Sequence, residues 1–325
     1  MARADLLLAL VRTSVQGDDQ GFQRAAEALI ADEKAKRHGV LAEQLSNALL
    51  AQPRRREITA SAPARPNYDG LVHEILPERA LSELVLPDHV TASVKQLIEE
   101  HHRRDLLRSY AVEPRHRVLL VGPPGGGKTT LAEALATELG TVLLSVRYEG
   151  IIGSFLGETA GRMDSLFELV RATPCVLFFD EFDAVAKERG DVHETGEIKR
   201  VVSSLLQQID RLPSHVVVVA ATNHPELLDR AVWRRMQLRL ELPKPTREMR
   251  ITWIERWARR KQLDFGLASR TLADRLRGLS LAEIEQFALD VERRQILDGP
   301  TSNPRTITQM VLQQLAFSVS GIESD

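Results

Sequence analysis

The residues Gly122-Pro123-Pro124-Gly125-Gly126-Gly127-Lys128-Thr129 constrain this chain more than any other segment. They have the spacing GxxxxGK[ST], and they stand between an apolar run, Val118–Val121, and an amphipathic one, Thr129 to Leu139. Glycines let successive backbone N–H groups turn inward around an anion, and the helix that follows adds the positive end of its dipole. In such a loop Lys128 reaches the β- and γ-phosphates of a nucleotide, the Thr129 hydroxyl binds Mg²⁺, and Thr130 belongs to the same nucleotide-binding set. Strand, loop and helix are in register here, which separates this segment from an ordinary Gly/Pro-rich turn.

The rest of the chain fits that demand. Arg117–Val121, Thr141–Val146, Cys175–Phe179, Val216–Ala221 and Gln237–Leu242 are short apolar or alternating runs, separated by helical patterns such as Ala160 to Arg171. Strands rich in Val, Leu and Phe, each followed by a helix, imply a parallel sheet covered on both faces. Beyond Pro243 and Pro245 the strands stop, and helices are expected near 246–262, 269–277, 280–297 and 305–318, the third opening with a Ser280/Glu283 capping box. The expected fold is therefore α/β, a P-loop NTPase with a five-stranded parallel sheet, a C-terminal all-α lid and an N-terminal helical segment. The stripes Leu6/Leu7/Leu10/Val11, Phe22/Ala25/Ala26/Leu29/Ile30 and Leu41/Leu45/Leu49/Leu50 mark three helices in residues 1–51. Prolines 53, 63 and 66 mark a linker over 52–70, leaving 71–243 for the ATP-binding subdomain and 244–325 for the lid.

Composition removes other classes. With 325 residues there is length for about two domains, and 43 Lys plus Arg against 45 Asp plus Glu leave a formal charge of −2, too little basicity to coat nucleic acid by charge alone. One cysteine, Cys175, excludes a disulfide framework or a cysteine zinc cluster, and it is read as packing. No apolar run is long enough to span a bilayer, and Leu6–Val11 lacks a cleavage site, so a cytoplasmic protein without a membrane partner is expected. His101-His102, His73-Glu74 and His193-Glu194 lack the spacing of a zinc protease motif.

Cys175-Val176-Leu177-Phe178-Phe179-Asp180-Glu181 supplies the second half of a hydrolytic site. A buried strand ending in two acids puts Asp180 beside the Mg²⁺ and Glu181 where it can orient and deprotonate water. A third strand, Val216-Val217-Val218-Val219-Ala220-Ala221, ends in Thr222-Asn223 and is followed by Leu228-Asp229-Arg230-Ala231-Val232-Trp233-Arg234-Arg235. With GPPGGGKT and FFDEFDAVAKERG, this resembles the AAA ATPases of the AAA+ superfamily from about Leu84 to Ala316. The single cassette behind a helical segment and linker is similar to the spastin and katanin group and to FtsH-like modules.

That resemblance implies several roles. Asn223 is the expected sensor for the attacking water or γ-phosphate. Arg234 and Arg235 are the expected arginine fingers, acting on ATP held by a neighbouring subunit, which requires a homo-oligomeric ring, a hexamer. Ser154-Phe155-Leu156-Gly157-Glu158 matches the aromatic–hydrophobic–glycine pore loop that grips a protein substrate; Phe155 follows Gly150 and Gly153, and the alternative is a core phenylalanine. Arg189–Glu197 stands where a second pore loop would lie, or is a surface loop. Gly126 replaces a usual Thr, and Leu281 a usual glycine near adenine; Leu84–Pro87 is expected along one side of the base pocket. Trp253 and Trp257 share a helical face and are expected to pack in a core.

The function expected is ATP hydrolysis with ATP and Mg²⁺, coupled in a ring to remodelling, unfolding or disassembly of a protein substrate recruited by the N-terminal helices. A separate protease or an adaptor is a possible partner, since the chain carries no peptidase motif. Two alternatives remain open from sequence: an ATP-gated switch or scaffold in signalling or defence, and a nucleic-acid remodelling ATPase, against which the aromatic loop and near-neutral charge stand.

Overall fold

The computed structural model describes residues 70–148, 156–183, 195–299 and 302–322, together with Ala28, which is helical. The chain divides into two compact units, Met1–Arg65 and Pro66–Asp325, and the described residues other than Ala28 all belong to the second. The expected N-terminal helices (Ala28 apart), the linker up to residue 69, Phe155 and residues 189–194 of the second loop lie outside the described residues.

Among the described residues six strands form one sheet: β1 (Val72–Ile75), β2 (Arg117–Val121), β3 (Val142–Val146), β4 (Cys175–Phe179), β5 (Val216–Thr222) and β6 (Leu238–Glu241), in the order β1-β3-β4-β5-β2-β6. The five expected strands are there and are mutually parallel. The sixth corrects the expected count: β1 runs antiparallel to β3, pairing Val72 with Val146 and Ile75 with Leu143. Its four residues, Val72-His73-Glu74-Ile75, bury only Val72, so an edge strand this short leaves almost no apolar signature.

Alternation along the strands builds two cores. Val176 and Phe178 of β4, with Val118, Leu120, Val217 and Val219, face α1 (Asp88–His102) and α3 (Lys128–Leu139); a short α2 (Arg104–Ser109) lies between those helices in the chain. Cys175, Leu177 and Phe179 point to the opposite face, with Leu119, Val218 and Ala220, toward α4 (Leu156–Arg171) and α5 (Thr195–Asp210). Burial pushes the Cys175 thiol up to about 12, so it behaves as a small apolar side chain. After β5 a six-residue helix, α6 (Arg230–Arg235), precedes β6.

The remaining helices are α7 (Arg247–Lys261), α8 (Ser269–Arg275), α9 (Leu281–Asp298) and α10 (Pro304–Ile322), close to the four expected. Ile254, Trp257, Leu272, Ile284, Phe287 and Ile307 are among the residues of their own core. The Ser280/Glu283 capping box forms at the start of α9.

Two histidines are buried behind β2. His101 Nε2 lies 2.7 Å from the Arg115 carbonyl, while His116 Nδ1 lies 3.3 Å from that of Pro114 and its Nε2 has no partner. Burial lowers both below the ordinary 6.5, with nearby Arg104 and His102 adding to the effect on His101, and Arg117 and His101 on His116. The unfolded chain takes up these protons first. Their contribution to stability is therefore complete above pH 6.5 and is lost as pH falls through the depressed folded values. The melting temperature is expected to fall on acidification from about pH 7.5 to about 5.5, by at most about 1.4 kcal/mol of stability per pH unit per histidine. The dependence should be shallower in His116→Phe; identical slopes in a denaturation series would reject this assignment.

Candidate active site

The site grows from the register of two neighbouring strands. Val121 of β2 pairs with Thr222 of β5, so the residues that follow, Gly122 and Asn223, leave the sheet side by side. Lys128 at the start of α3 is 7% exposed and joins them. Its Nζ donates to the Gly122 carbonyl at 2.7 Å, to the Pro123 carbonyl at 3.0 Å and to Asn223 Oδ1 at 2.6 Å. Burial lowers the lysine's affinity for its proton, and the fields of Asp180 and Asp183 oppose that effect.

The loop itself needs glycine at defined places. A Cβ on Gly122 would lie 2.2 Å from the Leu242 carbonyl oxygen, and one on Gly125 (φ +70) would lie 2.6 Å from Ser280 Oγ. Gly127 caps α3 in the left-handed conformation, φ 89, and the first turn of that helix presents N–H groups that have no intrahelical acceptor. Gly126 packs closely, with a hypothetical Cβ 3.1 Å from the Pro123 carbonyl oxygen.

The next strand brings the acids. Thr129 Oγ1 donates to Asp180 Oδ2 at 3.2 Å, which joins the two residues expected to share a metal. Glu181 follows in the left-handed region, φ 46, an uncommon conformation for a side chain of this kind, and its carboxylate is exposed. Asp183 is fixed from β5, its Oδ1 accepting from Thr222 Oγ1 at 2.6 Å. Tyr148 adds a residue that sequence reasoning did not single out. It lies two residues beyond the end of β3, and its hydroxyl is buried without a hydrogen-bond partner. Burial, reinforced by Asp180, Asp183 and Glu181, raises its pKa and keeps that hydroxyl protonated.

These groups open onto a cavity of about 520 Å³ whose wall includes residues 124–130, Asp180, Glu181 and Asn223. Leu84, Val85 and Leu86 form one side of it, as expected, and Leu281 and Ala282 of α9 another. Trp253 and Trp257 pack on the helical core as expected, and they also line the cavity. Their rings stack at 4.9 Å and 18°, and the Arg260 guanidinium lies 4.8 Å over Trp257. The i, i+4 spacing of the two tryptophans placed them on one face; only the folding of α7 toward the loop reveals that this face borders a cavity. Arg234 and Arg235 do not line this cavity, while Leu156 and Gly157 begin α4.

Phosphate-loop backbone, a buried ammonium and a Thr–Asp pair suit an anionic nucleotide. The AAA family model, the ATPase family associated with various cellular activities, matches residues 118–244. An AAA family ATPase of Sinorhizobium fredii, y4kL, is 37% identical over 303 residues, covering 92% of this chain and 91% of that one. The chain belongs to the AAA family. A cell division cycle protein 48 homologue from Archaeoglobus fulgidus is 36% identical over 186 residues, 56% of this chain but 25% of its own length. A katanin p60 ATPase-containing protein from Oryctolagus cuniculus is 35% identical over 275 residues, 76% of this chain and 56% of that protein. This AAA protein is thus an ATPase, binding and hydrolysing ATP. No helix among the described residues is long and apolar enough to cross a membrane.

Gly125→Ala tests how loop and lid together form the cavity. The new methyl meets Ser280 and Ala282, and the Ala282 N–H donates to the Gly125 carbonyl at 3.2 Å. The expected result is a loss of ATP affinity of about tenfold or more, roughly 1.4 kcal/mol, by titration calorimetry. Affinity equal to wild type would mean that lid and loop separate without consequence.

Proposed function

We propose that this ATPase works as a ring-forming remodeller of protein substrates, with its hydrolytic machinery completed between neighbouring protomers. The observation that carries the nucleotide part is the convergence of Lys128, Asn223, Thr129 and Asp180 at the ends of three adjacent strands. The residues present fit a nucleotide and its metal. The glycines at 122, 125 and 126 let the loop pack tightly on Leu242, Ser280 and Pro123, and Thr129 and Asp180 would hold Mg²⁺ together with phosphate oxygens and water rather than in an all-protein cage. When bound, Mg²⁺ neutralises charge on the phosphates.

Each residue then has a task. Residues 122–130 bind the phosphates through backbone N–H groups and Lys128. Glu181 orients the attacking water and takes its proton; its exposed carboxylate and left-handed backbone aim it away from the packed strand. Asn223, held at 2.6 Å from Lys128 Nζ, positions the same water or the terminal phosphate. The base lies between Leu84–Leu86 and the lid residues that line the opposite wall. The helix α6 that ends in Arg234 and Arg235 lies off its own cavity and serves the ATP of the neighbouring protomer, a contribution that reaches roughly 10³–10⁵-fold in rate in other systems.

Phe155, Leu156 and Gly157 grip substrate in the channel of a hexamer, and residues 1–51 recruit that substrate. The sequence pattern of residues 154–158 supports this reading, as does family membership.

The test is ATPase turnover per protomer against protein concentration, with particle size followed alongside. The expected rate rises steeply with concentration as an ATP-dependent ring forms, and Glu181→Gln abolishes it while leaving ATP binding intact. Phe155→Ala should retain ATPase activity but lose unfolding of a protein substrate. A rate independent of concentration, from a monomer, would overturn the ring, and unfolding undiminished by Phe155→Ala would overturn the role of that loop.

A further inference from the structure

We infer that the two arginines ending α6 are not equivalent: Asp210 fixes Arg235 within its own protomer, and Arg234 alone is presented to a second copy. This rests on the proposed reading of α6 as serving a neighbouring ATP site. Asp210 is the last residue of α5, and its two oxygens hold two different cations. Oδ2 accepts from Arg235 Nε at 2.7 Å, and Oδ1 accepts from Arg117 Nη1 at 2.6 Å. Arg235 Nη1 also donates to the Ala231 carbonyl at 3.1 Å, folding the side chain back along its own helix. A single carboxylate thus joins α6 to the end of α5 and to the first residue of β2, the strand that leads into the phosphate loop.

Three more residues of α6 are fixed, while Arg230 at its start is exposed. The Ala231 N–H donates to Asp229 Oδ1 at 2.7 Å, Val232 is fully buried, and Trp233 packs on the core with the Arg239 guanidinium 5.6 Å over its ring. Arg234 differs from all of these. It is exposed and makes no hydrogen bond or ion pair among the described residues. A guanidinium without a partner, on a short helix held at both ends, is free to meet an anion from outside its own chain with little reorganisation cost. Arg235, engaged through Nε and Nη1, is a positioning residue, and so is Asp210. The Asp210 pair is about one-third exposed on each side, and ion pairs of that kind add little to stability, so its effect belongs in turnover rather than in melting temperature.

The experiment compares Arg234→Ala, Arg234→Lys, Arg235→Ala, Arg235→Lys, Asp210→Asn and the Asp210→Asn/Arg235→Ala double variant at saturating ATP. Protein is held where the wild-type rate per protomer has reached its plateau, and each variant is also mixed with Glu181→Gln protein. Arg234→Ala should lose roughly 10³-fold in kcat, with no rescue by lysine, which lacks the planar fork. In mixtures it should recover rate, because Glu181→Gln protomers lend Arg234 to its intact site. Asp210→Asn and Arg235→Ala should each lower kcat by about 3- to 10-fold with KM for ATP unchanged, and the double variant should fall no further. Arg235→Lys, which keeps a cation against Asp210, should recover part of that loss. The inference is overturned if Arg235→Ala is as damaging as Arg234→Ala, or if Asp210→Asn raises turnover by releasing a second finger. Failure of the underlying ring reading has a different signature: a wild-type rate that ignores protein concentration and no recovery in any mixture, in which case the inference falls with it.

Discussion

A lysine ammonium with three oxygens around it organises this molecule. Lys128 is buried, and two of its partners are main-chain carbonyls of one loop while the third is a side chain from the next strand. No carboxylate is hydrogen-bonded to it among the described residues, so the charge is stabilised by dipoles and by the more distant Asp180 and Asp183. Hydrogen bonds to a charged group contribute about 1.5–3 kcal/mol each, and an ammonium at this depth without them would be neutral or displaced. The consequence is that the ends of β2 and β5 are tied where the phosphate loop and Asn223 leave the sheet. The parallel pairing of these strands sets the registry, and the lysine fixes what leaves it.

The helical lid depends on the same loop. The Ala282 N–H bonds to the Gly125 carbonyl, so the start of α9 is docked on backbone that only glycine can provide there. On the far side of the cavity Arg256 Nη1 donates to the carbonyls of Ser82 and Leu84, and Arg260 pairs with Glu83 at 3.3 Å. The cavity is therefore bounded by contacts that cross from the lid to the α/β layer on two sides. The Arg256 bonds go to main-chain carbonyls and persist with any side chain at 82 or 84. The Arg260–Glu83 pair is half-exposed and adds little holding power of its own. Arg79 and Glu285 form a second such pair at 4.0 Å, and a closure built from one backbone bond, two carbonyl bonds and two weak ion pairs can respond to what fills the space between.

Most of the α/β architecture was legible because its signals are local. Strand, loop and helix around Gly122–Thr129 are contiguous, Asp180 and Glu181 end a fully buried strand, and Asn223 ends another. Each of those statements needs only a few neighbouring residues. β1 escaped because four edge residues with a single buried side chain carry no period to detect. Tyr148 and the tryptophan pair escaped for a different reason. Tyr148 matters through its burial beside Asp180, Glu181 and Asp183, and Trp253 and Trp257 through the approach of α7 to the loop, neither of which any spacing along the chain encodes. Their apolar character was visible; what they border was not.

The position of α6 follows from topology in the same way. The chain leaves β5 beside the phosphate loop, but the next strand, β6, pairs on the outer side of β2, so the connection must pass over β2 at the edge of the sheet. A short helix in that crossing is carried away from the cavity its own protomer forms, and α6 contributes nothing to that wall. Neither arginine of α6 lines its own cavity, and the Asp210 bridge holds Arg235 where it is. In the proposed ring that is an advantage, because hydrolysis then requires a neighbour in place, and turnover reports the geometry of the assembly rather than the presence of ATP alone.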